Sequence, residues 1–299
     1  TEALSALFQH GARQAGPGEF TKRAFLNGQL DLLQAESVAD LIDAETAQQA
    51  HNAVCQLDGA LSRTVARIYD GLMDMAARFY AVVDYPDEDI EDLQREQMLD
   101  TLRRAQNDLE ALVAGFSRGR LLKLGVPTVL LGKPNAGKSS LLNALLGYDR
   151  AIVTDIAGTT RDTVEEKVTV GGVLLRLIDT AGIRATDDRL EQMGIQRTMS
   201  SIERAQIVIY MTDAARLAAG APVAPEFPLR ADQKLLVLVN KTDTAPDCPL
   251  PEGTIGISAR NGDGIESLRR ILRSFVDTEA LYHGDAIVSN NRHYEALTA

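Results

Sequence analysis

Gly132-Lys133-Pro134-Asn135-Ala136-Gly137-Lys138-Ser139 stands directly after an apolar run, Val126 to Leu131, and directly before a stretch with helical spacing. A strand, a glycine-bearing loop and a helix, in that order, are the context in which G-x-x-x-x-G-K-[ST] forms a phosphate cradle, the P-loop. There the loop's backbone N–H groups and the helix N-terminus surround the phosphates; Lys138 reaches the β and γ oxygens and Ser139 is the magnesium ligand. Asn135, Ala136, Gly137 and Ser140 are the remaining candidate contacts of this loop. Taken alone the octapeptide also suits a plain glycine-rich turn, and the flanking strand and helix are what favour the cradle.

Downstream of it, apolar runs bounded by turn residues recur at Val173 to Ile178, Ile207 to Met211, Leu235 to Val239 and Thr254 to Ile257, with helical patterns between them. That alternation predicts a mainly parallel sheet with helices on both faces, and Gly171-Gly172 predicts a hairpin that adds one antiparallel strand. Open sheets of this kind bind ligands at the carboxyl ends of their strands, where three further short motifs fall. Asp179-Thr180-Ala181-Gly182 places a carboxylate near the magnesium shell and a glycine where a γ-phosphate could hold a loop. Asn240-Lys241-Thr242-Asp243 and Ser258-Ala259-Arg260 close the next two strands. The Asp243 carboxylate can accept from both N1–H and the exocyclic amine of guanine, whereas adenine would present it with an acceptor, so the site selects GTP and GDP over adenine nucleotides. Asn240 and Lys241 are expected to brace this base loop, with the Ala259 N–H meeting the guanine carbonyl oxygen.

The chain of 299 residues is long enough for about two domains. No apolar run approaches the roughly 18 residues that would span a bilayer, and no leader opens it, so a soluble cytoplasmic protein without a membrane partner is expected. Two distant cysteines, Cys55 and Cys248, suggest neither a disulfide framework nor a zinc site. A formal net charge of −11 argues against nonspecific wrapping of nucleic acid, so an RNA partner would need a local basic patch. The chain starts at Thr1 without a methionine and stops in a helical pattern at Ala299, which reads as a fragment.

Upstream of the cradle the period is helical. Leu33, Val38, Leu41 and Ile42 predict one helix. From Val54, the steps through Leu57, Leu61, Val65, Ile68, Leu72, Met75, Phe79 and Val82 predict one long helix, and Leu102, Ala105, Leu109, Leu112 and Phe116 a third. The carboxylate cluster from Asp84 to Asp89 around Pro86 reads as a solvated turn between antiparallel helices. Helical character returns after Leu281, so the fold class expected is an α/β P-loop GTPase domain inserted into an all-α helical domain.

Two resemblances follow from these residues. With Ala157-Gly158-Thr159-Thr160-Arg161-Asp162 between the P-loop and Asp179, the α/β part resembles the bacterial GTPases related to Era and EngA. Upstream, Pro17-Gly18-Glu19-Phe20-Thr21-Lys22-Arg23-Ala24-Phe25-Leu26-Asn27-Gly28, then Leu30-Asp31-Leu32 and Ala39-Asp40-Leu41-Ile42-Asp43-Ala44, resembles the MnmE (TrmE) family of tRNA-modification GTPases. That second likeness covers nearly the whole chain. It implies a remnant of an N-terminal folate-binding domain at 1–27, the helical domain at 28–122 and 282–299, and a Ras-like G domain at 123–281. It further implies a homodimer, an FAD-containing partner protein, tRNA, and a tetrahydrofolate derivative bound by the full-length protein. Gln29 departs from the basic residue common at its place, and the C-terminal cysteine box is missing, so this chain should hydrolyse GTP without completing the modification.

The resemblance also addresses Ile183, an apolar residue where many GTPases carry the glutamine that orients water. Members of the family hold a potassium ion beside the γ-phosphate, which implies Asn135, Thr154, Ile156 and Thr159 as its ligands here. Thr160 is implied as the switch ligand of magnesium beside Ser139, and Glu191 as the catalytic carboxylate acting through a second water. By spacing alone Glu191 is one solvated acid among several; the family match is what singles it out. A ribosome-assembly switch of the Era kind is the alternative, favoured by an RNA-binding G-x-x-G loop that the chain does not show.

Overall fold

The computed structural model describes residues 2–85, 94–148, 166–178, 199–221, 223, 227–275 and 287–299. The chain divides into two units, one of 1–44, 49–114 and 284–287, the other of 45–48, 115–283 and 288–299. The helical stretch contains α1 (Glu2–Gln9), α2 (Glu19–Leu26), α3 (Leu32–Ile42), α4 (Ala47–Leu57), α5 (Ala60–Asp84) and α6 (Arg95–Leu124). The Asp84 to Asp89 turn lies largely outside the described residues.

The start of α3 is fixed by a capping box. Asp31 accepts from the Gln34 backbone at 2.8 Å, and the Gln34 side-chain oxygen accepts from the Asp31 backbone at 2.9 Å. The same Gln34 donates through Nε2 to the Leu57 carbonyl at 2.8 Å, so α3 also caps the end of α4. The long helix expected from Val54 onward is therefore two helices. Gly59 has a left-handed φ of 78°, which terminates α4 and opens α5 at a point where the i, i+4 step from Leu57 to Leu61 continues unbroken. Asp58-Gly59 was the available signal, and the apolar period concealed it. After the α/β unit the chain returns to α4: Ile287 donates to Asn52 Oδ1 at 3.1 Å and accepts from Gln56 Nε2 at 2.8 Å.

The α/β unit is built on a six-stranded sheet ordered β2-β3-β1-β4-β5-β6. Its strands are β1 (Val126–Gly132), β2 (Glu166–Val170), β3 (Val173–Leu177), β4 (Ile207–Asp213), β5 (Lys234–Asn240) and β6 (Thr254–Gly256). Among the described residues of this sheet only the β2–β3 pair is antiparallel, as Gly171-Gly172 predicted, and the other pairs are parallel. One face packs Leu130, Val168, Leu175, Ile209 and Leu238 against α7 (Lys138–Tyr148) and α9 (Ile265–Phe275), whose Leu141, Leu145, Leu268 and Leu272 are buried. The other face packs Val129, Ile178 and Val208 against Ile202, in a helical turn at 199–204, and Ala205 just after it. A short α8 (Ala214–Ala218) follows β4, and α10 (Asn291–Thr298) places Tyr294 in a stack on Phe116, with ring centroids 4.1 Å apart. This is an α/β fold with helices on both faces of a mainly parallel sheet, carried on a helical chain.

Candidate nucleotide-binding site

The parallel register brings three loops to one end of the sheet. Gly132 is paired with Met211, and Asp213 with Asn240, so the loops after β1, β4 and β5 leave the sheet side by side. The phosphate loop runs from Gly132 into α7, which begins at Lys138. Its glycines are steric requirements. A Cβ on Gly132 would lie 2.4 Å from the Met211 carbonyl oxygen, and one on Gly137 would lie 2.1 Å from Asn240 Nδ2. Asn135 occupies the left-handed region at φ 64°, a conformation that asparagine tolerates better than most residues, and it is exposed.

Lys138 Nζ donates to the Gly132 carbonyl at 2.7 Å and the Lys133 carbonyl at 3.2 Å, which curls the side chain over its own loop. Burial pushes its ammonium below the ordinary lysine value of 10.5. Ser139 and Ser140 follow it in the first turn of α7 and are exposed.

Asn240, 3% exposed at the end of β5, joins the loops. Its Nδ2 donates to the Ala136 carbonyl at 2.8 Å, and its Oδ1 accepts from the Ala259 backbone at 3.0 Å. The bracing role expected of Asn240 is therefore present and extends to the phosphate loop. The Ala259 N–H, expected at a guanine oxygen, donates here to Asn240 Oδ1, the buried acceptor within reach. Lys241 adopts a left-handed φ of 59°, and a 3-10 turn at Thr242–Thr244 presents the Asp243 carboxylate to solvent.

Thr242 had not been singled out. Its backbone N–H and hydroxyl both reach the Ile257 carbonyl, at 3.2 and 3.1 Å, tying the base loop to the segment after β6. Ser258 is fully buried and is bridged to Asp263, and Gly264 makes that fold possible, since a Cβ there would lie 2.2 Å from the Gly256 carbonyl oxygen. The run Gly262-Asp263-Gly264 was the sequence signal for this tight loop. A cleft of about 270 Å3 adjoins it, lined by Ala144, Gly147, Ala259, Arg260, Asn261 and Gly262.

These residues fit a guanine nucleotide with magnesium: a loop closed to side chains for the phosphates, Ser139 in the first helical turn, and an exposed carboxylate on a braced loop for the base. Thr154, Ile156, Thr159, Thr160, Asp179, Thr180, Ala181, Gly182, Ile183 and Glu191 lie outside the described residues. Among the described residues no cluster of His, Cys, Asp and Glu could hold a metal, and no helix is long and apolar enough to cross a membrane.

A mainly parallel sheet that brings the glycine-rich loop after β1 and the turn bearing Asp243 to the same end, joined by Asn240, has the architecture of the P-loop GTPases. The family model described as MnmE helical domain matches residues 32–299. The tRNA modification GTPase MnmE of Flavobacterium johnsoniae is 40% identical over 314 residues, covering 99% of this chain and 67% of that protein. That of an Azoarcus species is 45% identical over 303 residues, covering 98% and 66%. The chain belongs to the MnmE family, and it spans about two thirds of the length of these curated relatives. Among solved structures, the G-domain of Methanococcus jannaschii FeoB is 22% identical and covers 50% of this chain and 96% of its own, with a TM-score of 0.32, too distant a likeness to bear on function.

Proposed function

We propose that this chain hydrolyses GTP when two copies bring their nucleotide sites together around potassium, and that hydrolysis drives modification of the wobble uridine of certain tRNAs with an FAD-containing partner protein. The observation that carries the reading is Asn135, which is exposed in the loop after β1 at a left-handed φ of 64°. The family resemblance implies a potassium ligand at this position, and the exposed amide is open to one.

Each residue then has a task. Lys138 would leave the Gly132 and Lys133 carbonyls for the β and γ oxygens, since charge-assisted bonds to phosphate are the stronger. Ser139 and Thr160 would hold magnesium, and Asn135, Thr154, Ile156 and Thr159 potassium. Both cations, when bound, supply positive charge where negative charge develops during phosphoryl transfer. Glu191 would orient the attacking water through a second water once its segment is ordered by the partner copy. Asp179 to Gly182 would sense the γ-phosphate, and Asp243 with Ser258 to Arg260 would hold the base. In this reading the protein works in the cytoplasm, residues 1–27 belong to a folate-binding domain, 28–122 and 282–299 to the helical domain, and 123–281 to the G domain.

Steady-state GTP hydrolysis at several protein concentrations, in potassium and in sodium, tests this for the parent and for Glu191→Ala. Faster turnover in potassium, rising with concentration and lost in the variant, is expected. Equal rates in both salts remove the cation role, and an unaffected variant returns Glu191 to the solvated surface.

A further inference from the structure

One face of the β2–β3 hairpin carries two like charges. Lys167 and Arg176 are direct register partners in the antiparallel ladder, so their side chains leave the same face at neighbouring positions. The residues alternating with them, Val168, Val170, Val173, Leu175 and Leu177, are buried in the apolar core on the other face. Two cations placed opposite one another destabilise a ladder, and β2 is also an edge strand, whose unpaired backbone invites other contacts.

A counter-charge arrives from 122 residues upstream. The Glu45 carboxylate lies 2.5 Å from Lys167 Nζ, with only 24% of its side chain exposed. Glu45 stands in the connection between α3 and α4, and Thr46 beside it is 9% exposed. Residues 45–48 belong to the same unit as the sheet.

We infer that Glu45 is an anchor: it offsets the Lys167–Arg176 repulsion and holds residues 45–48 on the β2–β3 hairpin, so that the two segments loosen together. The inference rests on the ion pair and the ladder register, and does not depend on what the nucleotide site does.

Hydrogen exchange of the whole chain tests it, read at 45–48, at 166–170 and, as a reference, at 207–213 of β4. Glu45→Gln and Lys167→Met should each raise exchange at both 45–48 and 166–170, by roughly three- to tenfold for loss of a half-buried ion pair, with β4 unchanged. Glu45→Lys should do so more strongly, and adding Lys167→Glu should restore protection at both places. High salt should mimic Glu45→Gln in the parent. If each substitution loosens only its own segment, or if the reversed pair stays as loose as Glu45→Lys, the anchor does not exist. A rise in exchange at β4 as well would mean general unfolding and would equally overturn it.

Discussion

Asn240 Nδ2 lies 2.8 Å from the Ala136 carbonyl oxygen, so one buried amide at the end of β5 holds the phosphate loop and, through Oδ1, the backbone of Ala259 at once. In the proposed site, affinity for the base and affinity for the phosphates should therefore fall together when this link is cut. Asn240→Ala would leave a buried carbonyl and a buried N–H without partners, a loss of about 2 to 4 kcal/mol for the two groups. Affinity for GDP should fall roughly 30- to 1,000-fold, and so should affinity for pyrophosphate-bearing analogues that lack the base. Titration with fluorescent nucleotides measures both; a loss confined to base-containing ligands would contradict the linkage.

Gly137 and Gly71 separate glycines the fold requires from those it merely contains. Gly137→Ala sets a methyl 2.1 Å from Asn240 Nδ2 at φ 98°, so it should abolish nucleotide binding by pushing that bridge apart. Gly71 lies inside α5 with nothing within 4 Å of its would-be Cβ. Gly71→Ala should raise stability by about 0.5 to 1 kcal/mol and leave nucleotide affinity unchanged. Thermal melting with and without GDP distinguishes the two substitutions.

How much of this was legible beforehand follows from the range over which each signal acts. The strands β1, β3, β4, β5 and β6 were readable because each is a short apolar run with turn residues at its ends, whereas β2, Glu166-Lys167-Val168-Thr169-Val170, was expected only as the antiparallel strand that Gly171-Gly172 adds. The break at Gly59 was missed because Leu57 and Leu61 keep helical spacing across it, and an apolar stripe says nothing about backbone φ. Asn240 was recognised as a brace, but its partner Ala136 is 104 residues away, a contact created by strand order and not by any local pattern. Glu45 likewise was one acid among many until the fold set it beside Lys167.

Acid should loosen the N-terminal helices. Arg13, with the Gly16 backbone and Arg23, holds the Glu19 carboxylate down to about 2 from an ordinary 4.5. A carboxylate depressed in the folded chain contributes its stability above the unfolded value and loses it as pH falls from about 4.5 toward 2. Exchange or chemical-shift titration of residues 13–23 should therefore show loosening in that window. Glu19→Gln should be loose already at neutral pH and insensitive to further acid; a variant that keeps the parent's acid transition would assign it to another group.

Lys138 sets a limit at the opposite end of the scale. Because burial lowers its value in the folded chain, the ammonium that must meet the phosphates begins to lose its proton below the ordinary 10.5. The sign is that of a depressed cation: alkali favours the folded chain itself, and weakens nucleotide binding as pH rises through the lowered value. GDP affinity should decline on the alkaline side before lysine normally titrates, while Lys138→Arg, charged throughout, should bind with little pH dependence over the same range. Parallel decline in both proteins would remove Lys138 as the cause.

Asp243 offers the sharpest test of base selection. Its carboxylate is exposed on a 3-10 turn whose backbone is fixed by Thr242 to the Ile257 carbonyl and by Thr244 to the Lys241 carbonyl, at 3.1 and 2.8 Å through the two hydroxyls. The loop is thus braced independently of residue 243, and Asp243→Asn should fold as the parent does. Chemically the change replaces one acceptor oxygen by a donor, which opposes the guanine amine but matches a carbonyl at the same ring position, as in xanthine. GTP affinity should drop by about 10²-fold or more, the scale of an unmet hydrogen bond in a site built around it, and xanthosine triphosphate should become the better substrate. Competition between the two nucleotides in a single-turnover assay reads the preference directly. Were Asp243→Asn still to prefer GTP, the base would be held elsewhere, and the cleft beside Arg260 and Asn261 would be the place to look.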